Sequence, residues 1–374
     1  MWPTQPAFGP RRAKLPVAEA TRPNQRQTLG PVGLDLKHEG RAFDLSITDM
    51  IGLAKDAEDA GFESIWTNED IGYDSFTVLS ALAQHTHTVG LGTAIVNVYS
   101  RSAMQLAMAT ATLDEASRGR FMLGLSVGHH PWNDLGHGIP LEAPLARLRE
   151  YVTFLRKALG GLPFTHSGPV FRGVDTQLAF DPWRDGLPIY VAGERPGIIR
   201  VAGEIADGLI INVVSDYYIG NFAAEHLWAS ARAAGRDPSA IQLTALVTCC
   251  IASDREVALA QARAMTVHRL RHSLKMLDTQ PPDRHDEIRY LHDLMLDGQR
   301  ERAADEVSEE LATSIVAAGN ASDVVATIHR YFAAGCTRVI AVAYPRGRDD
   351  VARTIAALSP TLDRKPQRDS TERS

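Results

Sequence analysis

Apolar residues along this chain fall into two alternating forms: short continuous runs bounded by glycine or polar residues, and longer stretches at helical spacing. Val89 to Val96 and Phe121 to Val127 are of the first kind, rich in β-branched and small residues. Continuous runs of that length suit strands buried on both faces. Between them, Ser102 to Ala116 carries good helix formers, and Arg118-Gly119 adds a basic last turn and a glycine stop. The unit is strand, loop, helix, strand, so both strands run the same way. Asn97 to Arg101 and Gly128 to Pro131 then lie at one edge of a parallel sheet, the edge where α/β proteins bind ligands.

The same alternation continues in both directions. Leu29 to Leu36 and Phe62 to Thr67 are the first two strands, and Pro188 to Ala192, Gly208 to Val213, Ile241 to Ile251 and Thr337 to Ala343 are the last four. Ser46 or Thr48 caps a helix over Asp49 to Ala60, and Phe76 to His85, Pro196 to Ala206, Tyr217 to Ala234, Asp323 to Ala334 and Asp349 to Leu358 supply further helices. Two excursions interrupt the rhythm. His129 to Leu187 follows strand four, with a helix over Leu145 to Leu159 and a hairpin within Thr165 to Leu178; a helical region from Asp254 to Ala318 follows strand seven. Eight alternating units predict an α/β fold of the (β/α)8 TIM-barrel type, with insertions after strands four and seven. A doubly wound open sheet is the alternative, and the absence of a break in the middle argues against it.

The chain's 374 residues are 44% hydrophobic and 22% charged, enough for one large barrel with a sizeable core. A single domain is expected over residues 28–358, with residues 1–27 and 359–374 as disordered extensions, the first lacking the apolar stretch of a signal peptide. Net charge is −6 without a basic helical face, which disfavours nucleic acid and anionic membrane as partners and favours small molecules. Cys249, Cys250 and Cys336 lack disulfide or metal spacing, so core packing in a reducing, cytoplasmic compartment is expected, with no metal site.

Gly193-Glu194-Arg195-Pro196-Gly197 follows strand five and opens a helix. Glycine permits close backbone approach, helix-start amides attract an anion, and Arg195 adds a guanidinium. An ordinary strand-to-helix turn is the competing explanation. Gly124 to Gly128 lies within and at the end of a strand, which rules out a Rossmann fingerprint; its glycines are expected to leave room for a planar ring. His129, His130, His137 and His166, with Glu69, Asp70 and Glu194, are candidates for acid/base work, His137 and His166 being also explicable as solvated loop residues. Arg147, Arg149 and Glu150 are expected to form ion pairs. HExxH and P-loop motifs are absent.

LGTAIVNVYSR, then ATLDEASRGRFMLGLSVGHHP, HGIPLEAPLARLREYV and PIYVAGERPGIIRVAGEIADGLIIN, together resemble the bacterial luciferase-like superfamily. More narrowly, they are similar to the deazaflavin-dependent oxidoreductases grouped with methylenetetrahydromethanopterin reductase. The resemblance implies a barrel that binds coenzyme F420 or FMN at the C-terminal ends of its strands. It places a non-prolyl cis peptide at Ala94-Ile95 behind the ring and Asn97 beside it. Ser126, Gly128 and His129 would line the cofactor, Ala192, Gly193, Glu194 and Arg195 would form the phosphate turn, and Asn212 would complete the wall. Many relatives carry a Glu-His pair at the end of strand two; this chain has Asn68-Glu69-Asp70, leaving Glu69, Asp70 and His129 as candidates for proton transfer.

Three functions follow from the resemblance: hydride transfer between F420 and a small organic substrate, oxygen chemistry on FMN supplied by a separate flavin reductase, or non-catalytic flavin binding. The resemblance also implies a homodimer, for which the apolar face of Ala103 to Leu113 could serve. Trp132, Phe164, Phe171 and Trp183 in the insertion suggest an apolar pocket or a local core.

Overall fold

The computed structural model describes residues 28–36, 45–69, 71–128, 132–270, 274–345 and 347–362. Its strands, in chain order, are β1 (Val32–Asp35), β2 (Ser64–Thr67), β3 (Gly90–Thr93), β4 (Val96–Asn97), β5 (Phe121–Ser126), β6 (Phe164–Ser167), β7 (Arg172–Thr176), β8 (Ile189–Ala192), β9 (Gly208–Asn212), β10 (Gln242–Ile251), β11 (Val316–Gly319) and β12 (Arg338–Ala343). β1, β2, β3, β5, β8, β9, β10 and β12 pair in parallel in that order, and β12 returns to β1. The sheet is therefore a closed (β/α)8 barrel, the TIM-barrel fold.

Local chemistry explains the element ends. Ser46 accepts from the Asp49 amide and Asp49 returns a bond to the Ser46 amide, so the first helix, Ile47–Ala60, begins two residues before the expected start. Gly61 then stops it at φ 94°. The excursion after the fourth barrel strand holds the helix Pro144–Ala158 and the β6–β7 antiparallel hairpin. The region read as helical to Ala318 ends earlier, at Ile315, and Val316–Gly319 is instead a parallel strand against Thr248–Ile251. β10 runs ten residues and overshoots its barrel neighbours, so its upper edge is open to that short apolar segment. The turn Ser359–Thr361 lies beyond the expected domain end, and the Thr361 carbonyl accepts from the Leu29 amide at 2.9 Å.

Alternate strand residues point to two cores. Ile65, Leu91, Leu123, Val191 and Leu209 face the helices, whereas Trp66, Met122, Tyr190, Ile210 and Ile340 fill the barrel. The Trp66 indole occupies the space left by two glycines, for a Cβ at Gly92 would lie 2.3 Å from it and one at Gly33 2.8 Å. Below it, buried Arg338 pairs with Glu63 at 2.9 Å and donates to the Tyr190 hydroxyl. These residues plug the lower half of the barrel, and ligand chemistry in such barrels sits at the C-terminal mouth.

The three cysteines are buried, burial raising Cys249 and Cys336 to about 12, in keeping with the expected core packing. The insertion aromatics form local core: Phe164 packs edge-on against Phe154 and Phe171 against Tyr151, while Trp183 is exposed. Local core is thus the reading that fits Phe164 and Phe171; the Trp132 side chain lies outside the described residues. Ala103, Leu106, Ala107, Ala111 and Leu113 are buried within the fold, leaving Met108 as the large exposed apolar residue of the helix Ala103–Ala116.

Candidate active site

The site begins where β3 is interrupted. The peptide bond Ala94-Ile95 is cis, at the position the sequence resemblance assigns. Its two sides are tied to the end of β2: the Ala94 amide donates to Thr67 O at 2.6 Å, and the Glu69 amide donates to Ile95 O at 2.9 Å. On the other side, the Thr93 hydroxyl donates to Gly124 O at 3.0 Å and accepts from Gly124 N at 2.8 Å. Thr93 thus substitutes a side chain for ladder bonds that the interrupted backbone does not make.

These contacts change the expected role of the glycines on and after β5. A Cβ at Gly124 would lie 2.0 Å from Thr93 O, and one at Gly128, where φ is +69°, would lie 2.6 Å from Asn97 Nδ2. The space they leave is filled by protein, not by a planar ring. Asn97 is likewise committed to the fold. Its Nδ2 donates to Asn133 Oδ1 at 2.5 Å, its Oδ1 accepts from Tyr99 N at 2.9 Å, and Asn133 Nδ2 donates to Val127 O at 3.0 Å. Fully buried Asn133, which sequence reasoning missed, couples the loop after β4 to the loop after β5. Nothing in its local sequence marks it.

The next wall is built the same way. Ser126 Oγ donates to Ala192 O at 2.9 Å, joining the ends of β5 and β8. Gly193 adopts φ +151°, its amide donates to Ile210 O, and a Cβ there would lie 2.8 Å from Ile198. Arg195 precedes the helix Pro196–Ile205 without a side-chain cap bond, and Pro196 brings no N–H. The Tyr218 hydroxyl donates to Glu194 O at 2.5 Å and steadies the turn from the following helix; it too was missed. Asn212 ends β9.

Glu69 is the described member of the proton-transfer candidates; Asp70 and His129, with His130, lie outside the described residues. Burial raises the Glu69 carboxyl above the ordinary carboxylate range, with an Arg101 ion pair at 2.5 Å opposing the rise. Arg101 also pairs with Asp74, and its guanidinium lies 5.2 Å from the centre of the Phe76 ring. Asp35, at the end of β1, and Asn68, after β2, are buried polar groups at the same mouth.

The insertion closes over this edge. Tyr99 donates to Glu142 O at 2.6 Å, Tyr151 donates to Arg101 O at 3.0 Å, and the Arg147 guanidinium stacks 4.4 Å from the Tyr99 ring centre. Of the charges expected in ion pairs, Arg149 meets Glu204 at 2.5 Å, whereas Arg147 stacks on aromatic rings and donates to Val98 O. Glu150 accepts from Val170 N, Phe171 N and the buried His166 ring. His166 is therefore a structural partner, not a solvated loop residue, while His137 is exposed.

The family model for luciferase-like monooxygenases matches residues 27–338. The chain belongs to the luciferase-like monooxygenase family. Among relatives of this luciferase-like chain, 5,10-methylenetetrahydromethanopterin reductase of Methanolobus tindarius is 33% identical over 217 residues, covering 57% of this chain and 64% of that protein. The enzyme of the same name from Archaeoglobus fulgidus is 28% identical over 312 residues, covering 80% and 90%. The solved structure of the coenzyme F420-dependent tetrahydromethanopterin reductase from Methanopyrus kandleri superposes with a TM-score of 0.77 at 25% identity, over 90% of this chain and 98% of that one. The luciferase-like family is one of oxidoreductases, and its barrel is the fold described above.

Proposed function

We propose that this luciferase-like protein is an F420-dependent oxidoreductase acting on a small organic substrate. The observation that carries the reading is the end-to-end likeness to the F420-dependent reductase of known structure. The donor set suits a phosphorylated deazaflavin, because the Gly193–Pro196 turn opens a helix whose first amides lack intrahelical acceptors and Arg195 stands beside them. The chemistry such a cofactor supplies is hydride transfer at its C5 carbon, with negligible reaction with oxygen.

In this reading Ala192, Gly193, Glu194 and Arg195 hold the phosphate, and Ala94, Ile95, Asn97, Ser126, Gly128, His129 and Asn212 form the walls. Asn97 and Ser126 act by fixing neighbouring backbone, since their side chains are already engaged. Glu69, Asp70 and His129 are the groups that give or take the proton accompanying hydride transfer. A raised Glu69 carboxyl holds its proton closer to neutrality, where an acid/base group works best. Cytoplasmic location and a homodimer belong to the same proposal.

The family's description as luciferase-like monooxygenases favours a second reading, oxygen chemistry, for which FMN supplied by a flavin reductase would be the cofactor. Anaerobic assays with F420 and panels of alcohols, imines and enones test the first; oxygen uptake with FMN and an added reductase tests the second. Substrate-dependent change in F420 absorbance without oxygen supports hydride transfer. Turnover only with FMN and oxygen overturns it.

A further inference from the structure

We propose that Arg101, shared between Glu69 and Asp74, is a positioning residue that fixes the Glu69 carboxylate at the barrel mouth and sets its proton affinity. The proposal rests on the reading of Glu69 as a proton-transfer group and adds the device that controls it.

Glu69 is held at both ends. Its amide is bonded to Ile95 O at 2.9 Å, and its Oε1 meets Arg101 Nη2 at 2.5 Å. Its Oε2 is buried and has no partner among the described residues. One oxygen is thus anchored and the other is available for a proton. The anchor is itself constrained, since the Arg101 side chain is only 16% exposed, lies over Phe76, and has its carbonyl bonded by the Tyr151 hydroxyl. Other charged or titratable groups facing Glu69 are Asp74, on the turn entering the helix Ser75–His85, and Tyr151, on the insertion helix; Asp70 lies outside the described residues.

One guanidinium serving two carboxylates makes a signed prediction. Asp74 competes with Glu69 for the cation and adds its own negative charge, so it favours protonated Glu69, whereas Arg101 favours the ionised form. Removing Arg101 and neutralising Asp74 must therefore move Glu69 in opposite directions. Asp74→Asn keeps the helix cap, because Asp74 Oδ1 accepts from Thr77 N at 2.8 Å and asparagine caps equally well, while it withdraws the Oδ2 acceptor from Arg101.

The test is infrared titration of protonated carboxyls in the full chain, with Glu69→Gln identifying the Glu69 band. Arg101→Gln is expected to raise the band's midpoint by about one to three pH units and D74N to lower it. R101K, which restores charge without the fork, is expected to recover part of the shift. An unchanged midpoint in both R101Q and D74N, or shifts of the same sign, would overturn the proposal. If R101Q fails to fold, D74N alone decides by its sign. Unimpaired turnover by E69Q is a separate result: it would overturn the reading of Glu69 on which the proposal rests, whatever the titration shows.

Discussion

The amide of Glu69 donates to the carbonyl of Ile95 at 2.9 Å, so the segment leaving the second barrel strand is fastened to the interrupted third one. Through that bond and the Arg101 ion pair, backbone and side chain of Glu69 are both placed by the segment Ala94 to Arg101. Glu69→Gln keeps the shape and removes the titrating group. We expect kcat to fall by about two to four orders of magnitude, with unfolding temperature little changed; steady-state kinetics beside a thermal melt checks both.

Asn133 offers a different test, because it touches the loops and not the reacting groups. Asn133→Ala deletes the bonds to Asn97 and to Val127 O and leaves a buried amide and a buried carbonyl without partners. The expected cost is about 1–3 kcal/mol of stability, together with weaker cofactor binding. Denaturant unfolding gives the first, and ligand titration the second.

Arg195 is assigned to the phosphate and to nothing else. Arg195→Gln is expected to weaken F420 binding about tenfold and to leave binding of the phosphate-free deazaflavin unchanged. Equal losses for both ligands would show that the residue acts on the fold of the turn.

The Glu150–His166 pair carries a pH dependence. Burial raises the Glu150 carboxyl, but bonds from His166, Phe171 and Val170 outweigh it and hold the group below the ordinary carboxylate range. A carboxyl lowered in the folded state contributes stability that is present above its unfolded pKa and is lost as pH falls through the folded value. Glu150→Gln is therefore expected to cost about 1.5–3 kcal/mol at neutral pH, and the difference should shrink in acid. Melting wild type and variant across that range measures it.

The barrel was legible because its strands are continuous apolar runs such as Phe121 to Val127, and the active edge because polar residues cluster after those runs. Val316–Gly319 was not, since a four-residue apolar segment at the end of a helical stretch becomes a strand only against the overhanging edge of β10. The site's ties were hidden for a similar reason. Arg101 and Glu69 are 32 positions apart, and Asn133 and Asn97 are 36, so no local pattern joins them. Gly124 shows the limit most clearly: its spacing drew attention, but only the approach of Thr93 O explains why a side chain is excluded there. Glu150 was visible as a charge on a helix, and its burial under the hairpin was not.

The proposed function requires that the barrel mouth hold a deazaflavin. Fluorescence titration of the purified full chain with coenzyme F420 and, separately, with FMN tests it most directly. Saturable, tight binding of F420 with weak or absent binding of FMN is the predicted result. Tight binding of FMN alone would rule out F420 as the cofactor and move the protein to oxygen chemistry with a partner reductase.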